Sequence, residues 1–141
     1  MKSRTVTTIL QTTRARVFAY LADIENLPRW ATEFARELKV VDGRHKVVNG
    51  LGEFFFEIRA DKKTGVIDML AGPQEDQLAL FPTRVVSLGP DTSAFTFTMF
   101  QGPDQSDELF ERQYESLRRE FENIEAEFKA GSEGVEVGTR R

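Results

Sequence analysis

A chain of 141 residues is one domain in size and long enough to bury roughly 68 to 70% of its unfolded surface in a real core. It has no cysteine, which excludes disulfides, thiol catalysis, iron–sulfur ligation and Cys-based zinc sites. Its 23 acidic against 19 basic residues give a net charge of -4 with no basic block or stacking motif, which argues against a nucleic-acid partner.

The opening MKSRTVTTIL sets basic residues before threonines and lacks the apolar core of a secretory signal. Nowhere do about 18 apolar residues run uninterrupted, so a cytoplasmic protein without membrane insertion is expected. TVTTILQ, from Thr5, is rich in β-branched residues and predicts a first strand. TRARVFAYLADI then spaces Val17, Phe18, Leu21 and Ile24 for a helix, and Pro28 restarts any continuation as a second short helix through NLPRWATEF.

Six strands are predicted next, near residues 35–41, 44–49, 52–60, 65–71, 77–88 and 93–101. Asp42-Gly43 and Asn49-Gly50 are type I′ hairpin dipeptides, and DKKTG, GPQED and GPDTS divide the rest. These connections are too short for parallel crossovers, so the strands form an antiparallel meander. From Ser106, a good N-cap followed by Asp107 and Glu108, helical spacing runs through Phe110, Tyr114, Leu117, Phe121, Ile124 and Phe128. Glu108 with Arg112, Glu115 with Arg119, and Glu125 with Lys129 are acid-before-base pairs at i,i+4, each worth about 0.2 to 0.5 kcal/mol. The tail AGSEGVEVGTRR, from Ala130, is short of large apolar groups and reads as disordered, which leaves residues 1–129 as a single domain.

This order of strand, two helices, six-strand meander and long helix, with VFAYLADIENLPRW after the first strand, resembles the START-like, or helix-grip, superfamily of SRPBCC proteins. GVID at Gly65 to Asp68, TRVV at Thr83 to Val86, and TFTMF leading into SDELFER carry the similarity further, over about residues 3 to 129. The resemblance implies an α+β fold: a curved, seven-stranded antiparallel sheet wrapped around the C-terminal helix, with a cavity between them. Members of the superfamily bind lipids, sterols, polyketides or hormones there. A minority catalyse cyclisation or dehydration, and others are interaction modules, so the site has to be argued from this chain's own residues.

Alternation along EFFFEIRA points Phe54, Phe56, Ile58 and Ala60 inward, and along SAFTFTMF it points Phe95, Phe97 and Met99 inward. With Phe110, Tyr114 and Leu117 of the long helix, these give a largely aromatic wall around a cavity or a filled core. Trp30 belongs to the core of the small-helix layer or closes the cavity mouth. In LALFPTRVVSL, Arg84 shares a face with Leu78, Leu80, Pro82, Val86 and Leu88, and in the neighbouring strand Asp68 shares one with Val66 and Leu70. An ion on an apolar face needs a partner. Three readings stand: Asp68 and Arg84 meet at the polar end of a pocket, they form a structural pair without a ligand, or a bulge at Pro82 turns Arg84 to solvent.

His45, the one histidine, follows a turn in DGRHK and reads as a solvated hairpin residue. No metal site or cofactor is expected, and no nucleophile elbow, P-loop or dinucleotide fingerprint occurs. The leading expectation is a non-enzymatic protein whose cavity takes a small apolar or lipid-like molecule. The first alternative is a cyclase- or dehydratase-like enzyme in which Asp68 or Tyr114 moves a proton beside Arg84. The second is an interaction module with a filled core, whose outer-face Phe55 and Phe100 join a homodimer or another protein.

Overall fold

An unbroken run of β-branched residues, Thr5 to Ile9, makes Ser3–Leu10 the first strand, β1, with Thr8 and Leu10 turned into the core. The computed structural model describes residues 1–137, with side chains as far as Lys129; the tail expected to be disordered from Ala130 lies beyond those side chains. Thr13 then caps α1 (Arg14–Leu21), its hydroxyl accepting from the Arg16 N–H at 3.2 Å, and Val17 and Leu21 are the buried side of that helix. A single 3₁₀ turn, Ile24–Asn26, leads into α2 (Leu27–Trp30), where Pro28 occupies the first turn, the position that needs no N–H donor. The second helix is therefore shorter than the sequence pattern suggested.

The meander follows as β2 (Glu37–Val41), β3 (Arg44–Asn49), β4 (Gly52–Asp61), β5 (Val66–Gly72), β6 (Ala79–Phe81), β7 (Thr83–Gly89) and β8 (Thr92–Phe100). Asp42 and Gly43 both have positive φ, as a type I′ hairpin requires. The next hairpin differs by one residue from expectation: Asn49 pairs with Gly52, so Gly50 and Leu51 form the turn, and the Asn49 side chain accepts from the Leu51 N–H at 2.9 Å. Every strand pairing is antiparallel, in the spatial order β1-β8-β7-β5-β4-β3-β2. The one strand expected at 77–88 is two, because Pro82 has no N–H to give the ladder. β6 pairs with β5, whereas the Pro82 carbonyl accepts from Thr98 N–H of β8 at 2.9 Å. The sheet thus has eight strands, with β6 lying off the main path.

Gly65 opens β5 at φ 80, and its carbonyl accepts the Val85 N–H at 2.9 Å. A side chain there would run into the Val85 carbonyl and the Arg14 guanidinium, so the approach of the β4–β5 turn to β7 requires glycine.

The long helix α3 (Asp107–Val137) starts at Ser106, whose hydroxyl accepts from the Leu109 N–H at 3.1 Å. Phe110, Leu117, Phe121, Ile124 and Phe128 are buried along it, against Val47, Phe56, Ile67, Met69, Val85, Phe95 and Phe97 of the sheet and Val17 and Leu21 of α1. Leu27, Trp30, Ala31 and Ala35 of the small-helix segment join the same core. Of the three helical ion pairs expected, none forms as drawn among the described residues: Glu115 takes Arg118, at 3.0 Å, and Arg119 turns away to Glu33. No helix among the described residues is long and apolar enough to cross a membrane.

Candidate functional site

The core does not fill the space between helix and sheet. A cavity of about 730 Å³, partly open to solvent, lies between the inner faces of β4, β5 and β8, the first turns of α3 and the segment after α2. Phe54 and Phe56 of β4, Met69 and Ala71 of β5, and Phe97 and Met99 of β8 form its sheet wall. The opposite side is built by Leu109 and Leu117 of α3 with Trp30 and Phe34. The walls are mainly apolar; Arg36, Arg112, Arg119, Glu33 and Glu120 bring charge to them.

Two turns of α3 fix the segment Trp30–Phe34 that forms a wall. Asn123 donates to the Trp30 carbonyl at 3.0 Å and to the Thr32 hydroxyl at 3.2 Å. Arg119 grips the Glu33 carboxylate with two N–H groups, at 2.9 and 2.7 Å, and the Ser116 hydroxyl donates to it at 2.9 Å. Glu120 Oε2 accepts from the backbone N–H groups of Glu33 and Phe34, at 2.9 Å each. Positions 116, 119, 120 and 123 are spaced i, i+3, i+4 and i+7, so they form one helical face beside the apolar stripe. On the far side, Asn49 donates to the Phe34 carbonyl at 2.8 Å.

The electrostatics of that helical face are unequal. The Arg119 hydrogen bond holds the Glu33 carboxyl below its ordinary range and raises Arg119 in turn. Glu120, only 3% exposed, is pushed up to about 7 by burial, against the two backbone N–H groups that favour its charged form; the charge of Glu33 raises it further. Among the described carboxyls of the cavity wall, it is the one held near neutrality. Among the described residues, no cluster of three or more potential metal ligands occurs.

No protein family's sequence profile matches the chain, and no curated protein matches it by sequence. Solved structures do. The protein XoxI from Bacillus cereus is similar at a TM-score of 0.71 and 14% identity, covering 91% of this chain and 96% of that one. A START superfamily protein from Mycobacterium smegmatis is similar at 0.65 and 15%, covering 91% and 97%. The Zhui aromatase/cyclase of Streptomyces sp. R1128 is similar at 0.65 and 14%, covering 96% and 95%. The chain has the START-like helix-grip fold.

Within the helix grip, Trp30, Phe54, Phe56, Phe97, Met99 and Leu117 come together on the cavity wall. Ile58 stays on the inner face of β4 but packs beyond the cavity, and Phe110 is completely buried in the core. Tyr114 is half-buried on the flank of α3, with the Arg4 guanidinium 4.7 Å from its ring centre, and does not reach the cavity.

Asp68 and Arg84 share a face, but it is the outer one. The inner residues of β5 are Ile67, Met69 and Ala71, and those of β7 are Thr83 and Val85. Register dictates this: Phe56 pairs with Ala71 and Ile58 with Met69, and directly paired residues of an antiparallel ladder point to the same side. Arg84 is exposed, its Nε donating to the Thr64 carbonyl at 3.4 Å, and no ion pair joins it to Asp68 among the described residues. No bulge at Pro82 is involved; Phe81, Thr83 and Val85 alternate inward straight through it. Buried Thr83 is the inward polar group of this strand, and its hydroxyl donates to the Ile67 carbonyl. We therefore expect Arg84→Ala to change stability by less than about 0.5 kcal/mol in urea denaturation, and a larger loss would restore a structural role for the arginine.

Phe34, Met69 and Glu120 are wall residues that sequence reasoning missed. For Glu120 the signal was present: it lies three residues after Leu117 and four before Ile124, on the margin of the apolar stripe.

Proposed function

We propose that the protein binds one small apolar molecule, lipid- or polyketide-like, in the cavity between sheet and α3. The observation that carries this reading is an open volume of about 730 Å³ walled by Phe and Met side chains of the sheet, by Trp30 and Phe34, and by Leu109 and Leu117 of α3. Ligand pockets for molecules of drug size occupy about 300–1,000 Å³ and combine apolar walls with a few polar groups, the pattern found here. An interaction module with a filled core is less well supported, since a core needing no ligand would be packed without such a space.

Native mass spectrometry of the purified protein should reveal a 1:1 small-molecule adduct that is lost on denaturation, or one formed on adding apolar ligands. Ala71→Trp, which pushes an indole into the cavity from β5, should weaken that adduct about tenfold or more, equivalent to about 1.4 kcal/mol. Unchanged binding in the folded Trp variant would contradict the proposal.

An acid–base enzyme acting on a polyketide-like substrate is the second reading, favoured by the similarity to an aromatase/cyclase and by the titration of Glu120 near neutrality. Asp68 and Tyr114 do not serve it, because neither borders the cavity. Turnover abolished in Glu120→Gln with retained ligand binding would favour this reading over simple binding.

A further inference from the structure

Holding the Glu33 and Phe34 N–H groups occupies only one oxygen of the Glu120 carboxyl. Glu120 is 3% exposed, borders the cavity, and commits only Oε2, to the N–H groups of Glu33 and Phe34. Its second oxygen, Oε1, has no hydrogen-bond partner among the described residues. A buried polar atom left without a partner is costly, and such atoms are rare in folded proteins. Resting on the reading of the cavity as a ligand site, we infer that Glu120 Oε1 recognises a hydroxyl group, so that the site takes phenols or alcohols in preference to hydrocarbons of the same shape.

The choice of a hydroxyl follows from the surroundings. Titratable and charged groups reach the cavity from α3 as Arg112, Arg119 and Glu120, and from the segment after α2 as Glu33 and Arg36; the strands contribute none. An ammonium ligand would face three arginines; a ligand carboxylate, though drawn by them, would meet an ionised Glu120 above about pH 7. A ketone would be satisfied only by the protonated acid. A hydroxyl donates to the carboxylate and accepts from the acid, so it is satisfied in both states. Because Glu120 titrates at about 7, the ionised form makes the stronger, charge-assisted bond above that pH. A hydrocarbon bound beside the same carboxylate only desolvates it. Discrimination therefore grows as pH rises through the Glu120 titration.

The test compares 2-naphthol with 2-methylnaphthalene, equal in shape and both neutral between about pH 5.5 and 8, by fluorescence or calorimetric titration of the intact chain. At pH 8 the naphthol should bind about 10- to 100-fold more tightly, and the ratio should shrink towards pH 5.5. Glu120→Gln should keep a preference that no longer varies with pH, and Glu120→Met should bind both compounds equally. Equal affinities in the unaltered protein, with both compounds bound, would overturn the inference and leave the cavity reading standing. Failure of both to bind overturns the cavity reading and the inference together. A preference surviving in a folded Met variant overturns the inference alone. Should the Met variant fail to fold, a pH-dependent ratio persisting in Glu120→Gln overturns it equally.

Discussion

Phe121→Ala should destabilise the protein by about 3–5 kcal/mol, the largest loss expected of any single truncation here. Phe121 is 2% exposed and stands where three layers meet. Its ring stacks on Phe95 of β8 at 5.4 Å, meets Phe97 edge-on at 6.3 Å, and meets Trp30 of α2 edge-on at 6.4 Å. Truncation therefore removes the buried area of a large ring and the contacts that seat two cavity-wall aromatics, Trp30 and Phe97. The surrounding shell spans helix, sheet and small-helix layer, so it has little freedom to collapse into the void. Urea denaturation should show the midpoint falling with an unchanged slope. A loss below about 1.5 kcal/mol would mean that the three layers are not joined through this ring.

The second large effect depends on pH. Glu120 has an ordinary value of 4.5 and is pushed up to about 7 in the folded chain, mainly by burial. Between those values the unfolded chain has released the proton and the folded chain still holds it. The folded state thus binds more protons, and its stability falls as pH rises through this window, by about 3 kcal/mol when complete. Glu33, Glu53 and Asp107 are shifted the opposite way, by hydrogen bonds from Arg119, Lys39 and Gln101 respectively, and lose their stabilising effect only as pH falls below the window. Glu120→Gln keeps an acceptor for the Glu33 and Phe34 N–H groups but cannot ionise. Its stability should match the unaltered protein at pH 5 and exceed it by about 2–3 kcal/mol at pH 8. Parallel pH profiles for the two proteins would show that Glu120 ionises freely in the fold.

Much of this architecture was legible in the chain. The turn residues, the β-branched first strand and the apolar stripe of α3 each fix local structure through short-range chemistry, and their order resembles that of the helix-grip superfamily. Faces of β4 and β8 were legible too, because one side of each strand is plainly more apolar. β5 and β7 misled for a physical reason. Leu80 and Leu88 are 46% and 56% exposed, so the outer face is apolar enough to win a count of hydrophobic residues. Arg84 and Asp68 were the better guide: a charge on one face of a strand argues that the face is wet, and both do lie there. The pairing of Ile58 with Met69 and Phe56 with Ala71 settles the matter, but register is a property of two strands and neither one contains it alone.

Glu120 carried a spacing signal, but not a distinctive one. It is one of many carboxylates on α3, and its burial depends on Glu33 and Phe34, which approach it from 87 and 86 residues away in sequence. Arg119 shows the same effect. Its helical spacing from Glu115 suggested a surface pair worth a few tenths of a kcal/mol, while the folded chain gives it Glu33 and with it a wall of the cavity.

The central claim is that the space between sheet and α3 is a binding site. Backbone amide NMR during titration with 2-naphthol tests it most directly. The account predicts saturable 1:1 shifts concentrated at Phe54, Phe56, Met69, Phe97, Met99 and Leu117, with outer-face Phe55 and Phe100 little affected. Shifts confined to the outer face, or no saturable shift on the inner wall, would contradict it.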